Sequence, residues 1–274
     1  MVNLNSQLIP KSQLILSNNN RAFKYGDGVF ETLKIYKSNI VFFEAHYFRL
    51  MASMRMLRME IPQNFTLEYL EEEIFKTVKE NNLDESARVR LTVYRKDGGL
   101  YNPISNEIEF LIEVSKFEDN RRETYKVELY KDFHLYSGLL STLKTTNRIL
   151  NVVASIFASE NEYDTCLFLN EKKHLVEAIH GNIFLVFDNK VVTPTIKEGC
   201  IKGIIRKKII DILEKNSDFT IEEREISPFE LQKADELFIT NSIIDIQPVT
   251  NYRKKIYKTD TSLKILELLR KEYV

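Results

Sequence analysis

Cysteine and histidine are scarce in this 274-residue sequence, and their scarcity limits what the protein can be. The two cysteines, Cys166 and Cys200, are too few for a disulfide framework and form no CxxC pair, which favours a reduced, cytoplasmic protein. The four histidines show no spacing typical of metal ligands. We therefore expect no metal site.

An excess of charge and a long apolar run are also missing. The formal net charge is −1 and the two signs are interspersed, so the sequence offers no basic surface for nucleic acid. No apolar segment reaches the length of a membrane span, and the first residues lack the basic and apolar regions of a signal peptide. We expect a soluble protein with a small-molecule substrate and no nucleic-acid or membrane partner.

The hydrophobic pattern predicts strands and helices that are mixed along the chain. Apolar alternation indicates strands at 88–95 and 108–114, and helical spacing indicates helices at 46–59, 67–81 and 147–161. Further short strands are predicted at the following positions: 33–36, 40–43, 125–130, 165–169, 174–177, 183–187, 191–194 and 237–240. Helices are predicted at 204–214 and, after Ser227 with Glu230 three residues on, at 228–233. Because helices and strands do not alternate regularly, the predicted class is α+β.

A polar stretch from 115 to 124 predicts a boundary between two domains. It contains almost no apolar residues, whereas the segments on both sides are rich in them. We predict a small N-terminal domain at 1–117, a linker at 118–124 and a larger cofactor-binding domain at 125–274. Cofactor sites often lie between domains.

Two segments have the chemistry of a phosphate-binding site. Gly203 precedes a predicted helix, and the first backbone N–H groups of that helix, at Ile204 and Ile205, point toward any bound anion together with the helix dipole. Asn241 and Ser242 are small polar donors that follow a predicted strand. Each segment is also consistent with an ordinary helix cap or turn.

Arg49 lies in a predicted helix, where an arginine is usually solvated or packed along its stem. The surrounding sequence is His46-Tyr47-Phe48-Arg49-Leu50-Met51-Ala52-Ser53. An arginine together with two sets of backbone donors is a sensible coordination for a phosphate dianion.

Five segments, in this order along the chain, together resemble the class IV aminotransferase family. They are Tyr25-Gly26-Asp27-Gly28-Val29-Phe30-Glu31, the Arg49 segment, Lys144-Thr145-Thr146-Asn147-Arg148, Glu177-Ala178-Ile179-His180-Gly181-Asn182-Ile183-Phe184 and Gly203-Ile204-Ile205-Arg206. The resemblance extends from about Arg21 to Val249. In the fourth segment, Ala178 and Ile179 replace a glycine and a serine that are usual in the family.

The resemblance implies a two-domain fold-type IV enzyme, similar to D-amino acid aminotransferase, that uses pyridoxal 5'-phosphate. Lys144 would hold the cofactor as a Schiff base and move the substrate proton, and Glu177 would keep the pyridine nitrogen protonated so that the ring accepts electrons. The cofactor phosphate would be bound by Arg49, Ile204, Ile205, Asn241 and Ser242. Tyr25 and Phe30 match aromatic positions of the family and would face the substrate, although they are equally consistent with buried packing.

The choice of family member depends on a few positions. Arg148, which follows the asparagine of the lysine motif, is typical of aminodeoxychorismate lyases, whereas branched-chain aminotransferases have tyrosine there and D-amino acid aminotransferases often have leucine. Asn241 and Thr32 are also frequent in the lyases. The loop after Arg95 is similar to the lyase loop, but Leu100 stands where an arginine often follows. Arg95 or Arg148 would then have to bind the substrate carboxylates.

These positions favour 4-amino-4-deoxychorismate lyase, which forms 4-aminobenzoate and pyruvate on the way to folate, with Lys144 and Thr32 as candidate proton donors. The alternative is an aminotransferase of branched-chain or D-amino acid type. A non-catalytic binding relative is a third hypothesis, but it predicts loss of Lys144 or Glu177, and both are present. The family also implies a homodimer.

Overall fold

The structure is a computed structural model that describes residues 1–273, and the chain divides into two compact units. The first contains Met1–Glu118 together with Lys144–Asn147, and the second contains Asp119–Leu143 and the chain from Arg148 onward. The segment Lys144–Asn147, which the predicted bounds assign to the domain at 125–274, thus belongs to the first unit.

The first unit is built on one six-stranded sheet with the strand order β2-β1-β6-β5-β3-β4. Its strands are β1 Val2–Leu4, β2 Gln7–Ile9, β3 Gly28–Tyr36, β4 Asn39–Ile40, β5 Ser86–Arg95 and β6 Ile108–Lys116, and its helices are α1 Arg21–Tyr25, α2 Phe43–Met56 and α3 Leu67–Glu80. The apolar sides of α2 and α3 share one buried core with β3, β5 and β6. This core fixes β3, the strand on which much of the site lies.

The second unit contains two five-stranded sheets, with the orders β12-β11-β10-β13-β14 and β16-β15-β7-β8-β9. Its strands are β7 Lys126–Leu135, β8 Thr165–Asn170, β9 Leu175–Ala178, β10 Asn182–Phe187, β11 Lys190–Pro194, β12 Thr220–Arg224, β13 Glu236–Asn241, β14 Asp245–Val249, β15 Asn251–Tyr252 and β16 Lys255–Ile256, and its helices are α4 Ile149–Glu160, α5 Ile204–Glu214 and α6 Asp260–Arg270. Both sheets contribute to one core. The predicted α+β class is confirmed.

Most predicted elements are present, with some changes of type and length. Helix α5 has the predicted bounds, whereas α2 begins three residues earlier than predicted, at Phe43. The segment Pro228–Gln232 is a 3-10 helix, and Ser227 and Glu230 form the predicted capping box. The elements that were not predicted are β1, β2, β12, β14, β15, β16, α1 and α6. None of the helices formed by residues 1–273 is both long enough and apolar enough to cross a membrane.

Helix α4 exposes part of the side that its apolar spacing would predict to be buried. Val153 and Phe157 pack against the core, but Ile149, Val152 and Ile156 are 67%, 51% and 52% exposed. Leu139 and Leu140, from the short helix before α4, are exposed as well. We call Ile149, Val152 and Ile156, which share one side of α4, the α4 apolar surface. An exposed apolar group of this kind is typical of an interaction site.

Candidate active site

The segment Lys144–Asn147 lies along strand β3 and is held there by backbone hydrogen bonds. The backbone N–H of Phe30 donates to the carbonyl of Lys144 over 2.9 Å, and the N–H of Thr146 donates to the carbonyl of Gly28 over 2.9 Å. The lysine is thus placed by groups that do not depend on its own side chain. This explains how a residue from the middle of the chain joins the first unit.

Two glycines at the start of β3 allow this close approach, Gly26 just before the strand and Gly28 as its first residue. Gly26 has a φ of +63°, and a Cβ atom there would lie 3.0 Å from the Cβ of Asn147. A Cβ atom on Gly28 would lie 3.3 Å from the Cγ2 of Thr146 and 3.0 Å from the carbonyl oxygen of Val93. The glycines of the Tyr25–Glu31 segment therefore make room for the segment that carries Lys144.

Phe30 lies next to two cationic groups. The Nζ of Lys144 is 4.4 Å and the Cζ of Arg90 is 3.9 Å from the centroid of its ring, and such contacts are favourable because the ring face is negative. Arg90, on β5, pairs in register with Thr32 on β3. Burial lowers the pKa of Arg90, which remains charged.

Arg90 is a candidate site residue that the sequence analysis did not identify. It is half-buried, and its guanidinium has no hydrogen bond or ion pair within residues 1–273. A guanidinium offers five N–H donors, so one that is partly withdrawn from water and has no protein acceptor is suited to bind an anion. The only sign of Arg90 in the sequence was its position as an arginine within a predicted strand of alternating apolar residues.

Glu31 orients two neighbouring side chains of helix α2. Its Oε2 accepts from the Nδ1 of His46 over 2.7 Å, and its two oxygens accept from the Nε and Nη2 of Arg49 over 2.8 and 2.5 Å. Burial by itself would raise the pKa of Glu31, but the charge of Arg49 and the hydrogen bond from His46 lower it to about 2. The Glu31 carboxylate thus fixes Arg49, the predicted phosphate ligand.

The tautomer of His46 follows from this contact. An ionised carboxylate only accepts hydrogen bonds, so the Nδ1 of His46 carries the proton. Burial lowers the pKa of His46, so its other nitrogen, Nε2, is unprotonated. This Nε2 atom is buried and has no hydrogen-bond partner among the residues that the structure describes.

Replacing Glu31 with glutamine is expected to lower the free energy of unfolding at neutral pH by about 3–5 kcal/mol, because Arg49 loses its buried counter-ion. The lowered pKa of Glu31 stabilises the fold above its unfolded value of about 4.5, and this stabilisation is lost as the pH falls toward about 2. When the pH falls from about 4.5 toward about 2, the free energy of unfolding measured in urea should therefore decrease less for Glu31→Gln than for the wild type. Glu72→Gln, at an exposed position, is the control. Parallel pH profiles for wild type and Glu31→Gln would contradict the assignment.

Arg95 has structural partners, and its role toward a substrate carboxylate stays a prediction. Its Nε donates to the Oδ2 of Asp27 over 3.0 Å, its Nη2 donates to the carbonyl of Leu57 over 2.7 Å, and its Nη1 donates to the Oδ1 of Asn106 over 2.5 Å. The residue is only 6% exposed. These bonds use the donors that a substrate carboxylate would need.

Tyr25 ends helix α1, and its ring packs on that of Tyr101 with the centroids 5.6 Å apart. The guanidinium of Arg21 lies 5.1 Å from the ring of Tyr25 and donates to the carbonyls of Gly98 and Leu100. Leu100 itself is 77% exposed, so the loop after Arg95 is anchored through its backbone. The role of Tyr25 toward a substrate stays a prediction.

In the second unit, Glu177 lies on β9 and is 3% exposed. Its Oε2 accepts from the backbone N–H of Ile201 over 2.9 Å, and the Nδ2 of Asn182 donates to the carbonyl of Ile201 over 2.9 Å. The loop that leads into α5 is therefore held through the two backbone groups of Ile201. Asn182 was recognised only as part of a motif, and the structure gives it this positioning role.

Gly203 is the N-cap of α5, and Ile204 and Ile205 are the first two helical residues. A Cβ atom on Gly203 would lie 2.0 Å from the Oδ1 of Asn182, so no other residue fits without displacing that side chain. The first N–H groups of a helix lack partners within the helix. The role of Ile204 and Ile205 toward a phosphate stays a prediction.

The turn between β13 and β14 carries the other predicted phosphate ligands, Asn241 and Ser242. The Oδ1 of Asn241 accepts from the N–H groups of Ile243 and Ile244 over 2.9 and 3.0 Å, which closes the turn. Just before it, the hydroxyl of Thr240 is buried and has no hydrogen-bond partner within residues 1–273.

Arg148 precedes α4, and its Nη2 donates to the carbonyl of Leu143 over 2.8 Å.

Other reactive side chains have structural surroundings. Burial raises the pKa of both cysteines, Cys166 and Cys200, to about 12, so neither is a thiolate nucleophile at neutral pH. The Nδ1 of His174 is 2.9 Å from Glu198 and 3.9 Å from the exposed Glu225. The Oε2 of Glu198 also accepts from the side chain of Asn170, so hydrogen bonds within the protein account for this cluster.

Comparisons with known proteins identify relatives over most of the chain. Residues 28–252 match the family described as Amino-transferase class IV. A probable branched-chain-amino-acid aminotransferase of Aquifex aeolicus is 28% identical over 258 residues, which cover 89% of this chain and 81% of the relative. An aminodeoxychorismate lyase of Vibrio harveyi is 27% identical over 259 residues, covering 92% of each.

The fold is also that of solved structures. The branched-chain amino acid aminotransferase of Thermobaculum terrenum, crystallised in its PLP form, superposes with a TM-score of 0.86 and 22% identity, over 99% of this chain and 93% of that one. The predicted fold-type IV architecture is confirmed.

Proposed function

Because the chain belongs to the class IV aminotransferase family, whose members are pyridoxal 5'-phosphate-dependent enzymes, we propose that it is a 4-amino-4-deoxychorismate lyase. The reaction divides 4-amino-4-deoxychorismate into 4-aminobenzoate and pyruvate and consumes neither water nor an oxidant. The observation that carries the choice is Arg148, which stands where branched-chain enzymes have tyrosine. The Vibrio harveyi lyase is a relative of matching length.

The residues present fit the cofactor. The cap at Gly203 presents the first backbone N–H groups of α5, and the turn after Asn241 carries the hydroxyl of Ser242, so the second unit offers donors of a type suited to a phosphate dianion. The buried carboxylate of Glu177 is suited to pair with a protonated ring nitrogen. When bound, the cofactor supplies an aldehyde that captures the substrate amine and a ring that accepts electrons.

Lys144 is the residue that we assign to both attachment and proton transfer. Its amine would hold the cofactor aldehyde and would remove the proton from the amine-bearing carbon of the substrate. The enolpyruvate group then leaves as the six-membered ring becomes aromatic and takes up a proton to become pyruvate. Thr32, on the strand that holds Lys144, is the second candidate donor of that proton.

The substrate has two carboxylates, and Arg90 is our proposed partner for one of them. Its guanidinium is within 3.9 Å of the ring centroid of Phe30, as the Nζ of Lys144 is within 4.4 Å, so a carboxylate bound to Arg90 lies in the neighbourhood of the reactive amine. Arg148 is the proposed partner for the other carboxylate. Leu100 stands where the lyases often have an arginine, and the donors of Arg95 are already bound within the protein. We therefore propose Arg90 and Arg148 for the carboxylates instead.

Arg90→Gln is expected to reduce kcat/KM for 4-amino-4-deoxychorismate by about ten- to a hundredfold, which is the usual effect of losing a hydrogen bond to a charged group. The loss should lie mainly in KM if Arg90 binds the carboxylate equally in ground and transition states. Steady-state kinetics measure both constants. Arg88→Gln removes the same charge from the same strand and serves as the control. An unchanged KM in Arg90→Gln would contradict the role.

An aminotransferase is the second candidate, and Arg90 also supports it. Glutamate and 2-oxoglutarate carry a second carboxylate that an arginine beside the reactive lysine would bind. In this reaction the same lysine would return the proton to the cofactor carbon, and water would release a keto acid. The branched-chain relative from Aquifex aeolicus keeps this candidate open, as does the D-amino acid type.

One pair of assays separates the two candidates. The purified enzyme is offered 4-amino-4-deoxychorismate and, separately, branched-chain L-amino acids and D-amino acids with 2-oxoglutarate, and Lys144→Ala is the background control. Lysine-dependent formation of 4-aminobenzoate supports the lyase. Keto-acid formation without 4-aminobenzoate would replace it with the aminotransferase.

We also propose a cytoplasmic homodimer. The α4 apolar surface supports the assembly, because three exposed aliphatic side chains on one side of a helix are costly to leave in water. The two free, buried cysteines are consistent with a reducing compartment. Size-exclusion chromatography with light scattering measures the mass directly, and Val152→Asp should shift the protein toward a monomer if α4 lies in the interface.

A further inference from the structure

The turn from Asn241 to Asp245 is held at its far end by a residue outside its own sheet. Asp245 is 1% exposed and has a φ of +64°, the left-handed conformation that costs a non-glycine residue about 1 kcal/mol. Its Oδ1 accepts a hydrogen bond from the hydroxyl of Tyr273, which lies just past helix α6. A buried carboxylate in this conformation persists only where neighbouring groups hold it.

Tyr273 and Arg270 both contact the carboxylate of Asp245, and the contact with Tyr273 is the stronger one. Burial and the charge of Asp245 raise the pKa of Tyr273, so its hydroxyl stays protonated at neutral pH and donates the hydrogen bond. The Nη2 of Arg270 lies 3.5 Å from the Oδ2 of Asp245, but the arginine side chain is 44% exposed, and exposed ion pairs contribute little.

Helix α6 provides a rigid support for Tyr273. Ile265 and Leu269 of the helix are fully buried. The buried carboxylate of Glu236, on β13, accepts from the N–H groups of Thr261 and Ser262 over 2.7 and 2.9 Å and so caps the start of the helix. Tyr273 therefore holds Asp245 against an element that is itself fixed to strand β13.

We propose that Tyr273 is a positioning residue for the cofactor phosphate, acting through Asp245 on the turn that carries Asn241 and Ser242. The inference rests on the proposed function, because it takes this turn as part of the phosphate site. Asn241 closes the near end of the turn with its own side chain, and Tyr273 fixes the far end. Hydrogen-bond donors must be held to about 0.5 Å to bind an anion well.

The test compares two ligands that differ only in the phosphate. Cofactor-free wild type, Tyr273→Phe and Tyr257→Phe are titrated with pyridoxal 5'-phosphate and with pyridoxal, and the visible absorption of the lysine-bound ligand is followed. Tyr257 is the matched control, since its buried hydroxyl donates to the carbonyl of Leu231 over 2.6 Å, away from the turn. We expect Tyr273→Phe to weaken pyridoxal 5'-phosphate binding about tenfold and to leave pyridoxal binding unchanged.

Two further readouts make the result specific. The phosphorus-31 resonance of bound pyridoxal 5'-phosphate should shift in Tyr273→Phe and not in Tyr257→Phe. Asp245→Ala should show the same selective loss, and adding Tyr273→Phe to it should cause no further loss, because the hydrogen bond that Tyr273→Phe removes is already absent.

Equal weakening of both ligands in Tyr273→Phe would show a general structural role and overturn the inference, and so would unchanged binding of pyridoxal 5'-phosphate. Either result leaves the proposed function standing. A wild-type protein that binds neither ligand would overturn the proposed function together with the inference.

Discussion

Lys144→Ala is expected to remove the visible absorption of the lysine-bound cofactor and to reduce turnover by about ten-thousand-fold or more. The reason is chemical, because alanine has no amine to hold the aldehyde or to move the substrate proton. The fold should tolerate the change. The backbone carbonyl of Lys144 and the N–H of Thr146 hold the segment on β3, and alanine keeps both contacts.

The control for this prediction is Lys207→Ala, which removes a lysine that is paired with Asp211 on the surface of α5. It should retain the absorption band and full turnover. Far-ultraviolet circular dichroism and thermal unfolding check that Lys144→Ala is folded. A folded Lys144→Ala protein that keeps more than about a tenth of wild-type turnover would refute the assignment of this lysine.

The sequence predicted those parts of the fold and the site that depend on local patterns. Helix α5 was predicted with its observed bounds, because Gly203 marks its start and its apolar spacing is regular. The turn at Lys37 and Ser38 follows from polar residues between two apolar runs, and both residues have positive φ. The family motifs singled out Lys144 and Glu177, whose roles stay predictions.

The features that were missed depend on contacts between residues far apart in the sequence. The segment Lys144–Asn147 belongs to the first unit because its backbone is hydrogen-bonded to β3, which lies more than a hundred residues earlier in the sequence. Arg95 and Arg90 are five positions apart on one strand, and only the structure shows that Asp27 engages the first. The contact between Asp245 and Tyr273 joins residues 28 positions apart, on either side of α6, a helix that was not predicted.

Glu177→Gln is expected to lower kcat by about a hundred- to a thousandfold, the usual effect of removing one preorganised electrostatic group from an active site. Glutamine keeps the shape of the side chain, and its amide oxygen can still accept from the N–H of Ile201, so the loop before α5 should stay in place. What is lost is the negative charge, which is the property that keeps the ring nitrogen protonated. The change therefore tests the charge of Glu177 separately from its contact.

A matched control is available for this substitution in the same unit. Glu198 is also buried, and its Oε2 accepts from the side chains of Asn170 and His174. Glu198→Gln should lower the thermal unfolding temperature but leave kcat and the cofactor absorption band close to wild type. Glu177→Gln should show the opposite pattern, with the cofactor still attached through Lys144 but a shifted band and a low kcat. If both variants lose activity only in proportion to their loss of stability, Glu177 is a structural carboxylate, and the electron-accepting role of the ring needs another partner.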